Sequence, residues 1–335
     1  MCENEKYPIN VRKIRISDPF ILADQMSKKY YTYAAGFFPW TPGGAKKDAF
    51  YALESEDLFH WSMPVKVFDA KNTGFWADRD YWAPECHIWK GKYYLISSFR
   101  AEGTYRRCQC LVSESPMGPF VPHGEPLTPR GWHCLDGTLY TDRKGDPWLV
   151  FCHEWLQVGD GQIAAVRLAE DLTHAISKPM ILFRASDGPW TADFVGKDGA
   201  GGGYVTDGPF LHRMADGSLI MLWSSFTPSG YATGYAVSQS GEIAGPWIQE
   251  ARPLYFHDGA HSMLFKTFEG QLMMALHCPN EPAQKRMFLF EMEEKAGKLH
   301  VINEVTGGWY QWARGPAEKW VYQEPCAEKP RFTQE

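Results

Sequence analysis

The sequence predicts an all-β protein, a five-bladed β-propeller whose blades are four-stranded antiparallel sheets around a central axis. A pattern of an apolar strand, a polar turn and a return strand rich in Tyr and Trp occurs five times, and an outer-strand pattern follows each copy. Four strands in roughly 50 residues, repeated radially, are typical of a propeller. The alternative is a β-sandwich whose hairpins resemble one another by chance. Aromatic residues make up 15% of the chain, and helical periodicity is weak throughout.

The clearest copy of the hairpin is the stretch LDGTLYTDRKGDPWLVFCHEW at residues 135–155. Residues 139–140 belong to a short apolar strand, and residues 148–152 form the return strand of aromatic and β-branched residues. Asp136 stands where the first strand begins, and Glu154 follows the end of the second. Because an antiparallel hairpin returns to the side it left, both carboxylates are expected at one mouth of the propeller.

The other copies define the blades and the domain limits. The propeller is predicted over residues 11–305, with blades that start near residues 18, 83, 136, 207 and 260. Residues 306–335 are predicted to form a C-terminal tail that packs on the propeller. A glycine-rich insert at residues 186–206 is a candidate for a rim of the binding site or for a simple linker.

Composition excludes several classes of partner. The net charge is −6 and no basic run occurs, so nucleic acids and anionic membrane surfaces are not expected partners. No apolar stretch reaches the ~20 residues that cross a bilayer. The first residues, MCENEKYPIN, have no apolar core, which predicts a cytoplasmic protein, or a periplasmic or secreted one if an export signal was removed. The eight Cys form no CxxC pair, so buried free thiols are expected.

The starts of the innermost strands predict the functional site, because in a propeller they converge on the axis at one mouth. They supply acidic or imidazole side chains: Asp18, Glu85, Asp136, Asp207 and His261. A single Asp before Pro or Gly is commonly a turn residue. Carboxylates clustered at equivalent positions repel one another, so a fold tolerates them where metal, protons or function relieve the charge.

The residues at these strand starts resemble those of glycoside hydrolase family 43. The resemblance is carried by Asp18-Pro19, by the run Trp82-Ala83-Pro84-Glu85, by Asp136 and by the acidic-Gly-Pro run that begins at Asp207. It covers nearly the whole chain. It implies a five-bladed glycosidase that removes arabinose, xylose or galactose units from plant or related polysaccharides or oligosaccharides by an inverting mechanism.

The resemblance also implies roles for individual residues. Asp18 matches the general base, and Asp136 matches the aspartate that orients the acid and tunes its pKa. His261 matches a histidine that in many members helps to hold a hydrated calcium ion on the axis. No cofactor is required for the chemistry. The family's general acid is a Glu in Glu-Gly-Pro, whereas this chain has the shorter Asp207, so Glu154 is the alternative acid.

Substrate contacts are predicted for Trp82, Glu85, Trp155 and Trp223, since aromatic rings near the mouth stack on sugar faces. The expected partner is an oligosaccharide or polysaccharide. Two alternatives stay open. One is a catalytically silent, carbohydrate-binding propeller, which the Asp in the acid position favours. The other is a related five-bladed fructosidase or anhydro-sugar hydrolase, which Glu85-Cys86 favours and the absence of Arg-Asp-Pro disfavours.

Overall fold

Five antiparallel sheets surround a central axis and form a five-bladed β-propeller, as predicted. The computed structural model describes residues 6–37, 39–41, 48–195 and 202–306. Blade one is the least regular blade because its outer strand is divided. Its strands are β1 (Ile9–Asn10), β2 (Ile21–Asp24), β3 (Lys29–Ala34), β4 (Ala49–Ser55), β5 (His60–Trp61) and β6 (Val65–Asp69). Both β5 and β6 pair with β4, and β5 also pairs with β1.

Each of the other four blades consists of four strands that are consecutive in the chain and in the sheet. Blade two contains β7 (Arg79–Trp89), β8 (Lys92–Arg100), β9 (Arg107–Ser113) and β10 (Val121–His123). Blade three contains β11 (Cys134–Thr141), β12 (Pro147–His153), β13 (Gln162–Arg167) and β14 (Met180–Arg184). Blade four contains β15 (Asp207–Arg213), β16 (Leu219–Thr227), β17 (Gly230–Ser238) and β18 (Trp247–Gln249). Blade five contains β19 (Ala260–Lys266), β20 (Leu272–Cys278), β21 (Arg286–Lys295) and β22 (Lys298–Glu304).

Helices are short in the described part of the chain. The only α-helix there is α1 (Trp155–Val158), a single turn that begins directly after Glu154. Three 3-10 turns accompany it, at Val11–Lys13, Ala70–Asn72 and Ala185–Asp187. No described helix has both the length and the apolar character that a bilayer span requires.

The hydrophobic core lies between neighbouring blades, including between the last blade and the first. Residues of blade five and blade one belong to one buried apolar cluster. Within it, the ring centroids of Tyr30 and Phe268 lie 4.5 Å apart, and the Phe268 backbone N–H donates to the Tyr30 hydroxyl. The first and last blades are therefore joined by side-chain packing.

A β-bulge interrupts the innermost strand near the mouth in blades two to five. In every blade the opening residue has a positive φ: Asp18 (53°), Ala83 (46°), Asp136 (54°), Gly208 (49°) and His261 (56°). A non-glycine residue in this region costs about 1–3 kcal/mol, and such strain concentrates at functional sites. The repeat seen in the sequence is thus also a repeat of backbone conformation, in which Asp207 stands one residue before its blade's positive-φ position.

Two further sequence predictions concern the cysteines and the segments at residues 186–206 and 306–335. Cys86, Cys108, Cys110, Cys134, Cys152 and Cys278 are buried and free, which confirms the expectation for these six thiols. The predicted tail falls outside the described residues beyond Thr306, and part of the 186–206 insert does so as well.

Candidate active site

A cavity of about 260 Å³ opens at the mouth where the innermost strands begin. The structure brings four of the predicted carboxylates to it: Asp18, Asp136, Glu154 and Asp207. These residues come from blades one, three and four, so only the closed ring places them together. These four side chains have different hydrogen-bond partners, and their pKa values are shifted in different directions.

Asp18 is held by two imidazole rings. Its Oδ1 lies 3.2 Å from His261 Nδ1 and 3.2 Å from His277 Nδ1. Burial by itself raises the pKa of Asp18, but His261 and His277 outweigh it and hold the pKa well below its ordinary value. Asp18 is therefore ionised at neutral pH, as a general base must be.

Asp136, on the innermost strand of blade three, is hydrogen-bonded to blades two and four. Its backbone N–H donates to Ser98 Oγ (2.9 Å), and its Oδ2 accepts from the Gly208 backbone N–H (3.0 Å). Burial and the nearby negative charge of Asp18 raise the pKa of Asp136 well above its ordinary value. Because Gly208 directly follows Asp207, this hydrogen bond ties Asp136 to the backbone beside the candidate acid.

Asp207 has the electrostatic character of a general acid. Its Oδ2 accepts a hydrogen bond from the Tyr231 hydroxyl at 2.8 Å. Burial and the neighbouring Asp136 raise the pKa of Asp207 to about 7, so a large fraction is protonated near neutral pH. The pKa values of Asp18 and Asp207 are thus moved in opposite directions within one cavity.

Glu154 is engaged in a buried ion-pair network. Its Oε2 lies 2.6 Å from Arg106 Nη1 and 2.7 Å from His133 Nδ1, and Arg106 Nη2 lies 3.0 Å from Asp80 Oδ2. Burial raises the pKa of Glu154, but His133 and Arg106 outweigh it, so the net pKa is lowered. A lowered pKa is opposite to what proton donation requires, and this disfavours Glu154 as the alternative acid.

Two of the predicted aromatic contacts line the cavity. The indole of Trp82 is 46% exposed, and the Arg106 guanidinium carbon lies 3.9 Å from its ring centroid. Trp155 faces Phe194 edge-on across the cavity wall, with ring centroids 5.9 Å apart. Trp82 therefore combines an accessible ring face with a charged group behind it.

The other two predicted contacts, Trp223 and Glu85, do not line this cavity. Trp223 is fully buried, because the alternation of β16 turns it into the core, where its ring lies 4.6 Å from that of Trp190. Glu85 is buried beyond the bulge of β7, and its Oε2 lies 3.0 Å from His87 Nε2. It does not line the cavity, although its negative charge is among the groups that raise the pKa of Asp136.

His261 lies among the blade-opening carboxylates. Its Nδ1 is 3.2 Å from Asp18 Oδ1 and 3.7 Å from Asp136 Oδ2, and its ring fits against Gly208, where a Cβ would approach within 2.8 Å. Calcium prefers six to eight oxygen ligands. Among the described residues, no three His, Cys, Asp or Glu side chains are grouped to hold a metal ion. The described side chains do not form a direct calcium site, and an axial calcium stays a prediction.

Among the residues at the site that sequence reasoning missed are Tyr231, His277 and Lys285. They belong to the second and third strands of their blades or to the loop between those strands, whereas the argument from sequence relied mainly on the starts of the innermost strands. Lys285 also lines a second cavity of about 610 Å³, which shares Asp18, Trp82 and Lys285 with the first. The two cavities therefore adjoin one another.

The chain matches known proteins in sequence and in fold. A family model described as "Glycosyl hydrolases family 43" matches residues 7–297. The chain is similar to the solved structure of an endo-arabinase from Bacteroides thetaiotaomicron VPI-5482, at 41% identity and a TM-score of 0.81, over 87% of this chain and 99% of that chain.

Two curated proteins are similar over shorter segments. A xylosidase/arabinosidase 43A from Humicola insolens is 32% identical over 80 residues, 24% of each chain. A xylosidase/arabinosidase from Bacteroides ovatus is 27% identical over 157 residues, 44% of this chain and 46% of that protein. The matched segments therefore span less than half the length of these two relatives.

Proposed function

The chain belongs to glycosyl hydrolase family 43, and from that premise we propose that it is an inverting glycosidase. Its substrates are oligosaccharides or polysaccharides with arabinose-, xylose- or galactose-type residues. Arabinose-containing chains have the strongest support, because the similar protein at 41% identity is described as an endo-arabinase. The two adjoining cavities also suit a substrate of more than one sugar unit.

The observation that carries the proposal is the opposite perturbation of two carboxyl groups in one cavity. The pKa of Asp18 is lowered and that of Asp207 is raised to about 7. Inverting hydrolysis needs one ionised and one protonated carboxyl group on opposite sides of the sugar. Environments that push two pKa values apart in this way are the mark of an acid and base pair.

In the proposed reaction, a water molecule attacks the anomeric carbon while Asp18 accepts a proton from that water. The glycosidic C–O bond breaks, and Asp207 donates its proton to the departing oxygen, so charge and protons balance. Asp136 holds the backbone beside Asp207 through Gly208, and its charge, when it is ionised, raises the pKa of Asp207. The three buried carboxyl groups repel one another when ionised, so they titrate as a coupled set.

The test is hydrolysis of arabino-, xylo- and galacto-oligosaccharides, with the anomeric configuration of the first product followed by NMR. Inversion with release of arabinose-containing products is expected. Retention of configuration would refute the inverting mechanism. Binding of the oligosaccharides without hydrolysis would favour the alternative of a catalytically silent, sugar-binding propeller.

A further inference from the structure

Tyr231 reaches the candidate acid from two strands away. In the sheet of blade four, Asp207 on β15 pairs with Ser224 on β16, and Ser224 pairs with Thr233 on β17. Tyr231 also lies on β17, two residues before Thr233, and so has the same facing as Thr233. Its hydroxyl donates to Asp207 Oδ2 at 2.8 Å.

The surroundings of Tyr231 fix this hydroxyl in place. The side chain is 4% exposed, and its ring centroid lies 4.9 Å from that of Phe226 and 5.7 Å from that of His277. The backbone N–H of Tyr231 donates to Asp258 Oδ1. Burial, with the nearby carboxylates, raises the pKa of Tyr231 well above its ordinary value, so the phenol keeps its proton and remains a donor.

The hydrogen bond from Tyr231 determines which carboxyl oxygen of Asp207 carries the proton. With the Tyr231 hydroxyl directed at Oδ2, the neutral Asp207 accepts through that atom and carries its proton on Oδ1. The proton is thereby kept on one of the two carboxyl oxygens, which matters because transfer requires the proton within hydrogen-bond reach of the departing oxygen.

We propose that Tyr231 is a positioning residue for the general acid: it holds Oδ2 of Asp207 and thereby directs the proton on Oδ1 towards the substrate. This inference rests on the proposed function. Asp207 is one methylene shorter than the Glu that the family resemblance leads one to expect. A short side chain can search less space for the departing oxygen, so a fixed orientation has more effect on its proton transfer.

The same contact predicts a direction for the titration of Asp207. A hydrogen bond to a carboxylate stabilises its charged form and lowers its pKa. Removing the Tyr231 hydroxyl therefore raises the pKa of Asp207 further. The other groups that act on Asp207 remain in place in such a variant, among them Asp136, His261 and Asp18.

The experiment compares Tyr231→Phe with a matched control, Tyr235→Phe. Tyr235 is also a buried tyrosine of β17, but it lies in the apolar cluster between blades four and five, away from the cavity. The carboxyl titration of Asp207 is followed by 13C NMR of labelled aspartate, with Asp207→Asn used for assignment. Hydrolysis is measured on an aryl glycoside with a good leaving group and on an oligosaccharide.

For Tyr231→Phe we expect the Asp207 titration and the alkaline limb of kcat/KM to move up by about one pH unit. Oligosaccharide hydrolysis should fall about tenfold or more, while the activated glycoside is largely spared because its leaving group needs no proton. Tyr235→Phe should change neither the Asp207 titration nor the rates of hydrolysis. Folding of each variant is checked by its thermal transition.

The outcomes separate this inference from the proposed function. Hydrolysis with an unmoved Asp207 titration, or with equal losses on both substrates, would overturn the role of Tyr231 alone. A chain that hydrolyses no substrate of the panel would refute the proposed function. Even then, the NMR titration would show whether the Tyr231 hydroxyl lowers the pKa of Asp207. An Asp207 titration that is unchanged in Tyr231→Phe would also overturn the role of Tyr231.

Discussion

Glu154 and Arg106 form a buried ion pair, in which Glu154 Oε2 lies 2.6 Å from Arg106 Nη1. The same guanidinium lies against Trp82 and also pairs with Asp80. Glu154 thus stabilises the cation beneath the exposed indole, and its lowered pKa keeps it ionised. This relationship assigns Glu154 a supporting part in the site and leaves Asp207 as the candidate acid.

The first prediction distinguishes the two candidate acids. Asp207→Ala should lower oligosaccharide hydrolysis by about 10²–10⁴-fold and spare a glycoside with a good leaving group, because only the poor leaving group needs protonation. Glu154→Ala should affect both substrates alike and should destabilise the fold by about 1–3 kcal/mol, since a buried cation loses one partner. Steady-state rates and denaturant unfolding measure these effects. A leaving-group contrast in the Glu154 variant would transfer the role of acid to that residue.

The second prediction concerns the base. Asp18→Asn keeps the shape of the side chain and removes its ability to accept a proton, so turnover should fall by about 10²–10⁴-fold on both kinds of substrate. The midpoint of thermal unfolding should show that the fold is retained. Near-normal turnover on either substrate would mean that another residue activates the water.

The third prediction is the pH dependence of kcat/KM. The active form needs Asp18 ionised and Asp207 protonated. The pKa of Asp18 lies well below its ordinary value, so acid should reduce activity only at low pH. The pKa of Asp207 is about 7, so activity should decline as pH rises through about 7. An alkaline limb that remains in Asp207→Asn would show that a different group titrates there.

The fourth prediction concerns Gly208, which combines a positive φ with close contact to His261. A Cβ at Gly208 would lie 2.8 Å from the imidazole ring, whereas Gly217 has a positive φ but no atom nearer than 4.0 Å. Gly217→Ala therefore measures the conformational cost alone. Gly208→Ala should be less stable than this control by about 1–3 kcal/mol in denaturant unfolding, because the added methyl overpacks the site. Equal losses in the two variants would mean that the ring can move aside.

The sequence predicted the parts of the site that repeat. Asp18, Asp136 and His261 each open an innermost strand, so the fivefold repeat alone was enough to bring them together. Trp223 was expected near the mouth, but the strand register, which the sequence does not give, turns its ring into the core. Tyr231 was missed for the same reason.

The contact of Tyr231 with Asp207 depends on the pairing of three strands. A diagonal contact across a sheet has no local signature in the chain. The pKa directions were equally inaccessible from sequence, because they follow from burial and from the charges that the closed ring collects.

The last prediction contrasts two tryptophans that the sequence treated alike. Trp82 is 46% exposed and lines both cavities, while Trp223 is fully buried in the core. Trp82→Ala should raise the KM for oligosaccharides roughly tenfold, about the energy of one good aromatic contact, with little change in stability. Trp223→Ala should destabilise the fold by about 3–5 kcal/mol, because it opens a large cavity among packed rings. KM values and unfolding free energies of both variants measure the contrast. An unchanged KM for Trp82→Ala on long and short oligosaccharides would mean that the bound substrate does not contact this indole.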